Sequence, residues 1–251
     1  MQISEILAPP PSALLAASRL VVTAGLRGSG STWVFNIVRE LLIAARGEAN
    51  VLGVFAEHRG ECPSAAMMAG RAVVIKSHSG NTPFDDALIA AQADYILSIR
   101  DPRDAAISVH QRFGYPIDAA VILLLNDCRR LARLMDKNDL TLRYENRFFD
   151  NPQTIEQIAT RLGLTVSAPI MATIAHRYAS VAIQSFASNL ANLPAERVHI
   201  TGNDQYDRVT HIHRFHIGDM RSGKWRDWPA TDQAHLTTLF MPFLERFNIA
   251  A

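Results

Sequence analysis

Residues Leu20–Ala45 read LVVTAGLRGSGSTWVFNIVRELLIAA, which is an apolar segment, a glycine-bracketed turn and an amphipathic segment in that order. The β-branched run at the start is typical of a strand buried in a parallel sheet. From Val34 onward, apolar residues recur at helical spacing, so one face of the predicted helix is buried, and Gly47 is placed to end it. The stretch therefore predicts a strand, a tight turn and a helix, and the rest of the chain is organised around it.

The turn between the predicted strand and helix has the composition of an anion site. Its glycines allow backbone angles that other residues avoid, and they are Gly25, Gly28 and Gly30. Free N–H groups and the positive end of the dipole at a helix start attract anions. Hydroxyl donors are added by Ser29, Ser31 and Thr32, and we expect Ser31 or Thr32 to cap the helix. An ordinary tight turn is the alternative, but the order of strand, turn and helix favours a phosphate site.

The turn lacks the lysine of a nucleotide triphosphatase. Such a loop carries a lysine directly before its Ser or Thr, where it reaches the outer phosphates while the hydroxyl holds magnesium. Here the turn ends Gly30-Ser31-Thr32, and the nearby cation is Arg27. The loop is therefore predicted to bind a phosphate group without hydrolysing ATP.

The composition restricts the class of protein. The 251 residues are 48% hydrophobic, enough to bury the core of one domain over residues 1–251, with residues 1–18 as an N-terminal extension. Lys and Arg number 25 against 24 Asp and Glu, so a net charge of +1 gives no electrostatic case for nucleic acid or an anionic membrane. Cys62 and Cys128 are too few for a disulfide framework, and we expect a cytoplasmic protein with reduced thiols and no membrane span.

Further apolar strands alternate with predicted helices along the chain. The strands are 72–76 (AVVIK), 94–99 (DYILSI) and 140–143 (LTLR). The predicted helices are 85–93, 105–113, 117–135, 154–162 and 231–247. Strands alternating with helices indicate an α/β fold with a central, mainly parallel sheet flanked by helices. Residues 48–70 and 188–218 have no clear period, and we expect the second of these to be an irregular or mobile loop region.

Basic and polar side chains follow the ends of the predicted strands. Lys76 and His78 come at the end of the second strand, and Arg100 follows the third. Ligands of parallel sheets bind beyond the carboxyl ends of the strands. These residues and the glycine-rich turn are therefore expected to face one crevice.

Five motifs in this order resemble those of the cytosolic-type sulfotransferases, which use 3′-phosphoadenosine 5′-phosphosulfate (PAPS), and the chain looks like a divergent, bacterial-like member. The motifs are Arg27–Trp33 (RGSGSTW), Lys76–His78 (KSH), Arg100 with Ser108, Tyr144, and Arg221–Trp228 (RSGKWRDW). The resemblance spans about residues 20–228. It implies the P-loop-like three-layer fold of that family, and sulfuryl transfer from PAPS to a hydroxyl or amine of a small-molecule or glycan acceptor.

The resemblance also implies a role for each matched residue. His78 is implied as the general base, and its unperturbed pKa of about 6.5 suits that task. Lys76 or Arg27 is implied as the cation that assists the leaving phosphate. PAPS and its product adenosine 3′,5′-bisphosphate (PAP) are implied to bind without a metal ion. The implied contacts to them are Arg27, Gly28, Ser29, Gly30, Ser31, Thr32, Trp33, Arg100, Ser108, Tyr144, Arg221, Ser222 and Gly223.

The sequence departs from the family pattern in two motifs. Gly28 stands where the family carries a lysine on the bridging oxygen of the transferring group. Ser222 and Arg226 replace a lysine and a glycine in the closing motif. Because charge builds on the departing phosphate, a cation must reach it. The sequence leaves Arg27 and Lys76 as the candidates.

Other functions and one other site remain open on the sequence alone. A P-loop kinase of a small molecule is one alternative, and the missing loop lysine argues against it. A non-catalytic nucleotide-binding relative is another, and Gly28 is consistent with it. His211, His213 and His216 invite a zinc site, but no cysteine or second cluster completes four ligands, so a solvated or substrate-lining loop is favoured. The oligomeric state is open and includes a homodimer.

Overall fold

A parallel sheet forms the centre of the computed structural model, which describes residues 11–137, 140–201, 204–215 and 218–250. Its strands are β1 (Arg19–Gly25), β2 (Val51–Phe55), β3 (Ala72–Ser77), β4 (Asp94–Ile99) and β5 (Thr141–Arg143). They lie in the order β2-β3-β1-β4-β5, and every neighbouring pair is parallel. The sequence-based prediction of a mainly parallel α/β sheet is confirmed.

Helices cover both faces of the sheet. They are α1 (Ser31–Arg46), α2 (Ala65–Met68), α3 (Thr82–Ala90), α4 (Pro102–Phe113), α5 (Ile117–Leu134), α6 (Gln153–Arg161), α7 (Ala168–Arg177), α8 (Ser180–Ser188) and α9 (Ala230–Arg246). One buried cluster joins the sheet to α3, α4, α5 and α9, and a second joins it to α1, α6, α7 and α8. The molecule is thus a three-layer α/β structure, as predicted. No helix among the described residues combines the length and apolar character needed to cross a membrane.

Strand β1 lies in the middle of the sheet, and its end sets the place of the site. It pairs with β3 on one side and β4 on the other, so that the carboxyl ends of the three strands meet at one edge. The β1 end requires a glycine for close approach, because a Cβ atom at Gly25 would lie 2.1 Å from Ser98 Oγ. The loops after β1, β3 and β4 are therefore brought together.

The first helix begins and ends at glycines. Gly30 is the N-terminal cap residue at φ +82°, and no side chain accepts a hydrogen bond from the first turn of α1. The prediction that Ser31 or Thr32 caps this helix is therefore wrong. Gly47 ends the helix at φ +83°, as predicted. The first N–H groups of α1 therefore have no side-chain acceptor and are available to a ligand.

Two segments predicted to be irregular contain strands. The region 48–70 includes β2, a half-exposed edge strand interrupted by Gly53, which lacks the continuous apolar run of the inner strands. The region 188–218 contains an antiparallel pair, β6 (Val198–Thr201) and β7 (Asp204–Asp207). Arg197 Nη2 pairs with Asp207 Oδ2 at 2.8 Å and closes the base of this pair. The remainder of the segment is loop, with residues 202–203 and 216–217 outside the described residues.

The predicted N-terminal extension is in part a piece of the fold. Residues 1–10 lie outside the described residues. Pro11–Ala16 form a 3₁₀ turn in which Ala13 and Leu14 are buried against the α3 side of the sheet. Cys62 and Cys128 are buried free thiols.

We expect Gly30→Ala to destabilise the fold more than Gly114→Ala. Both glycines have positive φ, so both alanines are strained by about 1–2 kcal/mol. At Gly30 the new Cβ also lies 2.9 Å from the ring of the buried Phe148, whereas nothing lies within 4 Å at Gly114. Overpacking should add roughly 1–3 kcal/mol at Gly30 alone. Urea unfolding of the two variants measures the difference, and equal losses would contradict the close contact.

Candidate active site

A cavity of about 810 Å³ opens at the edge where β1, β3 and β4 end. Its wall combines the loops after those strands with the end of α4, residues from the segment 206–215, and Gly218, Met220 and Lys224. Its cationic lining residues are Arg27, Lys76, Arg100, Arg112, Arg214 and Lys224. The described part of the wall contains no Asp or Glu side chain. The cavity is therefore suited to anionic molecules, and its size is in the ~300–1,000 Å³ range of small-molecule sites.

The loop between β1 and α1 presents unpaired N–H groups to the cavity. The amides of Gly28, Gly30, Ser31 and Thr32 have no acceptor among the described residues. Gly28 and Gly30 adopt φ of +80° and +82°, which turns the loop around its own amides. Because α1 has no side-chain cap, these donors and the helix dipole are available to an anion, and the anion site stays a prediction.

Ser29 is the member of this loop that does not line the cavity. Its side chain is fully buried, and Oγ donates to the carbonyl of Leu26 at 2.7 Å. Ser98 Oγ lies 2.8 Å away on β4. The hydroxyl thus fastens the loop to the sheet, and its predicted contact with a phosphate is not formed from this position.

Arg27 is committed to a buried carboxylate. Its guanidinium pairs with Asp127 on α5, and its backbone N–H donates to Asp127 Oδ2 at 3.1 Å. Ser79 Oγ, in the loop after β3, donates to the same carboxylate at 2.6 Å. Burial raises the pKa of Asp127, while Arg27 and these hydrogen bonds oppose the rise. The Asp127 carboxylate therefore links the loops after β1 and β3. It also neutralises Arg27, which the sequence left as a candidate for the cation at the leaving group.

Lys76 is the penultimate residue of β3, and its ammonium group has no anionic partner among the described residues. The residue is 4% exposed, lines the cavity and makes no ion pair with any described residue. Its Nζ lies 5.4 Å from the centre of the Phe55 ring. Burial and repulsion from Arg112 and Arg27 lower the pKa of Lys76 to about 7, against a rise from Glu57. An anion bound beside Lys76 would relieve this repulsion and raise its pKa.

His78 is held in one tautomer by the backbone. Its Nδ1 lies 2.7 Å from the carbonyl oxygen of Gly25, which can only accept, so Nδ1 carries the proton and Nε2 has a free lone pair. Burial, then repulsion from Lys76 and Arg27, hold the pKa of His78 well below 6.5. Glu57 accepts the N–H groups of His78 and Ser79 and fixes the loop. The imidazole is therefore neutral near pH 7, with the Nε2 lone pair unprotonated.

Arg100 forms a second buried cationic site. It is 3% exposed, and Nη1 donates to Gly28 O at 3.0 Å and to Ser108 Oγ at 3.2 Å. The guanidinium lies over the ring of Tyr144, 4.1 Å from its centre. Its buried Nε has no partner among the described residues. Arg100, Ser108 and Tyr144 all line the cavity, and the unused donor on a buried guanidinium points to an anionic ligand.

Trp33 lines the cavity from the first turn of α1. The residue is 6% exposed, and its Nε1 donates to the carbonyl of Tyr178 at 3.1 Å. Its ring is tilted against Phe148 with centroids 5.5 Å apart. The indole is thus fixed in place by a hydrogen bond and by packing.

The closing motif contributes its backbone rather than the predicted side chains. The carbonyl of Arg221 accepts from Arg100 Nη2 at 2.8 Å, but the Arg221 guanidinium pairs with the exposed Asp227. Arg221, Ser222 and Gly223 do not line the cavity, whereas Lys224 does. Their direct contacts to a nucleotide stay a prediction that this arrangement does not support. The segment supports Arg100 instead.

Sequence analysis missed the carboxylates that hold these loops, because each acts on backbone atoms far along the chain. Asp104 accepts the N–H groups of Gly223 and Trp225, the latter at 3.1 Å, and pins the closing segment to α4. One signal was available for Asp127, which occupies the apolar stripe of α5. That stripe is Ala120, Leu124, Leu131 and Leu134. A carboxylate in such a stripe indicates a buried partner.

The structure describes two of the three histidines of residues 211–216. His211 and His213 line the cavity, and His216 lies outside the described residues. His213 Nδ1 lies 2.6 Å from Asp204 Oδ2, and the His211 ring packs against Phe35 and Phe55. Within the described residues, no cluster of three or more His, Cys, Asp or Glu has the geometry of a metal site.

Three solved structures with the same fold are described as complexes with PAP. Mouse sulfotransferase SULT7A1, complexed with PAP, matches at a TM-score of 0.64 and 17% identity, over 93% of this chain and 88% of that chain. Retinol dehydratase with androsterone and inactive cofactor PAP matches at 0.59 and 14%, over 93% and 83%. Retinol dehydratase with retinol and PAP matches at 0.60 and 14%, over 93% and 84%. The resemblance to sulfotransferases is thereby confirmed at the level of the fold.

Comparison with models of protein families and with curated protein sequences gave no match. At identities of 14–17%, the similarity to the solved structures concerns the fold, and the activity has to be argued from the residues of this cavity.

We expect Asp104→Ala to loosen the closing segment. The change leaves the buried amides of Gly223 and Trp225 without their acceptor, so their hydrogen exchange should be roughly 10–100-fold faster. Asp118→Ala is the matched control, because it removes an exposed first-turn carboxylate of α5. Unchanged exchange in Asp104→Ala, or equal acceleration in both variants, would show that Asp104 does not hold this segment.

Proposed function

We propose that this protein transfers the sulfuryl group of PAPS to a hydroxyl or amine of a small-molecule or glycan acceptor. The observation that carries the proposal is the presence, on one cavity, of two separate groups of donors that are each suited to an anion. One consists of the unpaired amides at the start of α1, and the other of Arg100 with Ser108. A nucleotide with phosphate groups at two positions matches such a pair of sites.

Each part of the nucleotide has a place in this proposal. The 5′-phosphosulfate lies on the amides of Gly28 and Gly30–Thr32, at the positive end of the α1 dipole. The 3′-phosphate accepts from Arg100, whose Nε is unused, and from Ser108. Trp33 offers its fixed ring to the adenine. The matched structures support this assignment, because each is described as a PAP complex.

Transfer requires one proton acceptor and one cation, and the chain supplies both. The acceptor oxygen or nitrogen forms a bond to sulfur as the bond between sulfur and the bridging oxygen breaks, and PAP leaves. The acceptor proton passes to Nε2 of His78, whose lone pair is free because Nδ1 bonds Gly25. Lys76 neutralises the charge that grows on the leaving phosphate. We assign this role to Lys76 rather than to Arg27, because Arg27 is paired with Asp127.

The alternative functions are less well supported. A kinase needs carboxylates for magnesium, and the described cavity wall has none. A non-catalytic nucleotide binder needs neither a tautomer-fixed histidine nor an unpaired lysine, and both line this cavity. Small-molecule acceptors are consistent with two matched retinol dehydratase structures, which are complexes with androsterone and with retinol. A cytoplasmic location and a homodimer remain expectations.

The function is tested by following sulfur from labelled PAPS into pooled phenols, alcohols, amines and amino sugars, with EDTA present. We expect transfer without magnesium and no phosphoryl transfer from labelled ATP. His78→Asn is the informative variant, because an amide N–H can still donate to Gly25 while the free lone pair of Nε2 is lost. We expect kcat to fall by roughly 10²–10⁴ with PAP affinity nearly intact. Full activity in His78→Asn would show that His78 is not the general base. Phosphoryl transfer from ATP would overturn the proposed function.

PAP binding should depend on pH through Lys76. Its pKa of about 7 means that the empty protein is losing this charge as the pH rises above neutrality, whereas PAP favours the charged form. Between pH 7.5 and 9 the phosphates are already dianionic, so binding should take up a proton and weaken by up to about tenfold per pH unit.

Titration calorimetry in two buffers of different ionisation enthalpy measures this uptake. Lys76→Arg stays charged and Lys76→Met never is, so both should bind with a flat pH profile. A flat profile in the unmodified protein would contradict the role of Lys76.

A further inference from the structure

Arg112 extends the cationic wall beyond the proposed nucleotide site. It follows Ser108 by four residues on α4, so the two side chains lie on one face of the helix, one turn apart. Ser108 bonds to Arg100, which reads the 3′-phosphate in the proposed function. Both residues line the cavity, together with Phe113 and the β7 residue Tyr206. Arg112 is therefore a cation of the cavity wall that the proposed nucleotide contacts do not use.

Arg112 has no anionic partner within ion-pair distance among the described residues. Its guanidinium forms no ion pair or hydrogen bond with a described side chain, and its Nε is buried without a partner. It approaches the ring of Phe113, 4.7 Å from the ring centre. The negative charge of Asp204 raises the pKa of Arg112 against the effect of burial, but Asp204 Oδ2 lies 2.6 Å from His213 Nδ1. A partly buried, unpaired guanidinium is costly unless a ligand pairs with it.

The other cations of the wall are accounted for. Arg27 pairs with Asp127, Lys224 with Asp219 at 2.6 Å, and Arg100 lies 3.9 Å from Asp104. Lys76 is assigned to the leaving phosphate, and Arg214 is exposed at the rim. Repulsion between Arg112 and Lys76 lowers the pKa of Lys76, so the two positive charges lie close enough to interact. Arg112 is thus the buried cation of the described wall that has neither an ion-pair partner nor an assigned ligand.

We propose that the acceptor carries an anionic group, a carboxylate or a phosphate, that pairs with Arg112 while its hydroxyl or amine faces His78. The inference rests on the proposed function and narrows its substrate class. A flat apolar body between these two groups is favoured, because aromatic residues line the same part of the cavity. They are Phe55, Phe113, Tyr206 and Phe215.

The experiment compares acceptors that differ only in charge, in the presence of saturating PAPS. One arm uses 3-(4-hydroxyphenyl)propionate against its amide, and the second uses glucosamine 6-phosphate against glucosamine. We expect the anionic member of at least one pair to be preferred by roughly 10–100-fold in kcat/KM, which is the effect of one charge-assisted contact. Affinity of the same molecules for the PAP-loaded protein gives a readout that needs no turnover. The arm that discriminates identifies the anion as carboxylate or phosphate.

Arg112→Gln should reduce the preference to within about threefold. Arg129→Gln is the matched control, because it removes an equal charge from the exposed face of α5 and should keep the preference. The inference would be overturned if neither pair showed a preference, or if the preference persisted in Arg112→Gln. In that case PAP binding and transfer to neutral acceptors would still support the proposed function. A protein that does not bind PAP at all would instead overturn the function, and the inference with it.

Discussion

The carboxylate of Asp127 is the point on which the site depends. It is fully buried on α5 and accepts from the backbone and guanidinium of Arg27 and from the hydroxyl of Ser79. These donors come from the loops after β1 and β3, which therefore hold a fixed distance from each other. Removal of the carboxylate would leave Arg27 without its counter-ion in a partly buried position, which typically costs several kcal/mol. The ion pair thus fixes the loop after β1, while the neighbouring amides of that loop remain without acceptors among the described residues.

Other side chains follow the same division between holding and binding. Glu57 fixes the loop that carries His78, and Asp104 fixes the segment whose carbonyl supports Arg100. The buried acids therefore bind protein atoms and leave the cavity wall to cations and N–H groups. This separation explains how a chain with a net charge of +1 can present a strongly positive cavity.

The fold was predictable from local patterns, whereas much of the site was not. The stretch Leu20–Ala45 predicted β1, the anion loop and α1, because each follows from spacing along the chain. Strand β2 was missed because it is a half-exposed edge, without the apolar run that marks inner strands. The cap by Ser31 or Thr32 was a sound local expectation, but the open helix start serves the anion site instead. Arg27 was one of two candidates for the cation at the leaving group, and its partner 100 residues away cannot be read from sequence spacing.

In the proposed function, two groups of donors on one cavity bind the two phosphate positions of one nucleotide. A crystal structure of the protein with PAP would show both contacts. We expect the 3′-phosphate within about 3.2 Å of an Arg100 nitrogen and of Ser108 Oγ, with the 5′-phosphate on the amides of Gly28 and Gly30–Thr32. A 3′-phosphate directed to solvent, or a 5′-phosphate away from the start of α1, would contradict it.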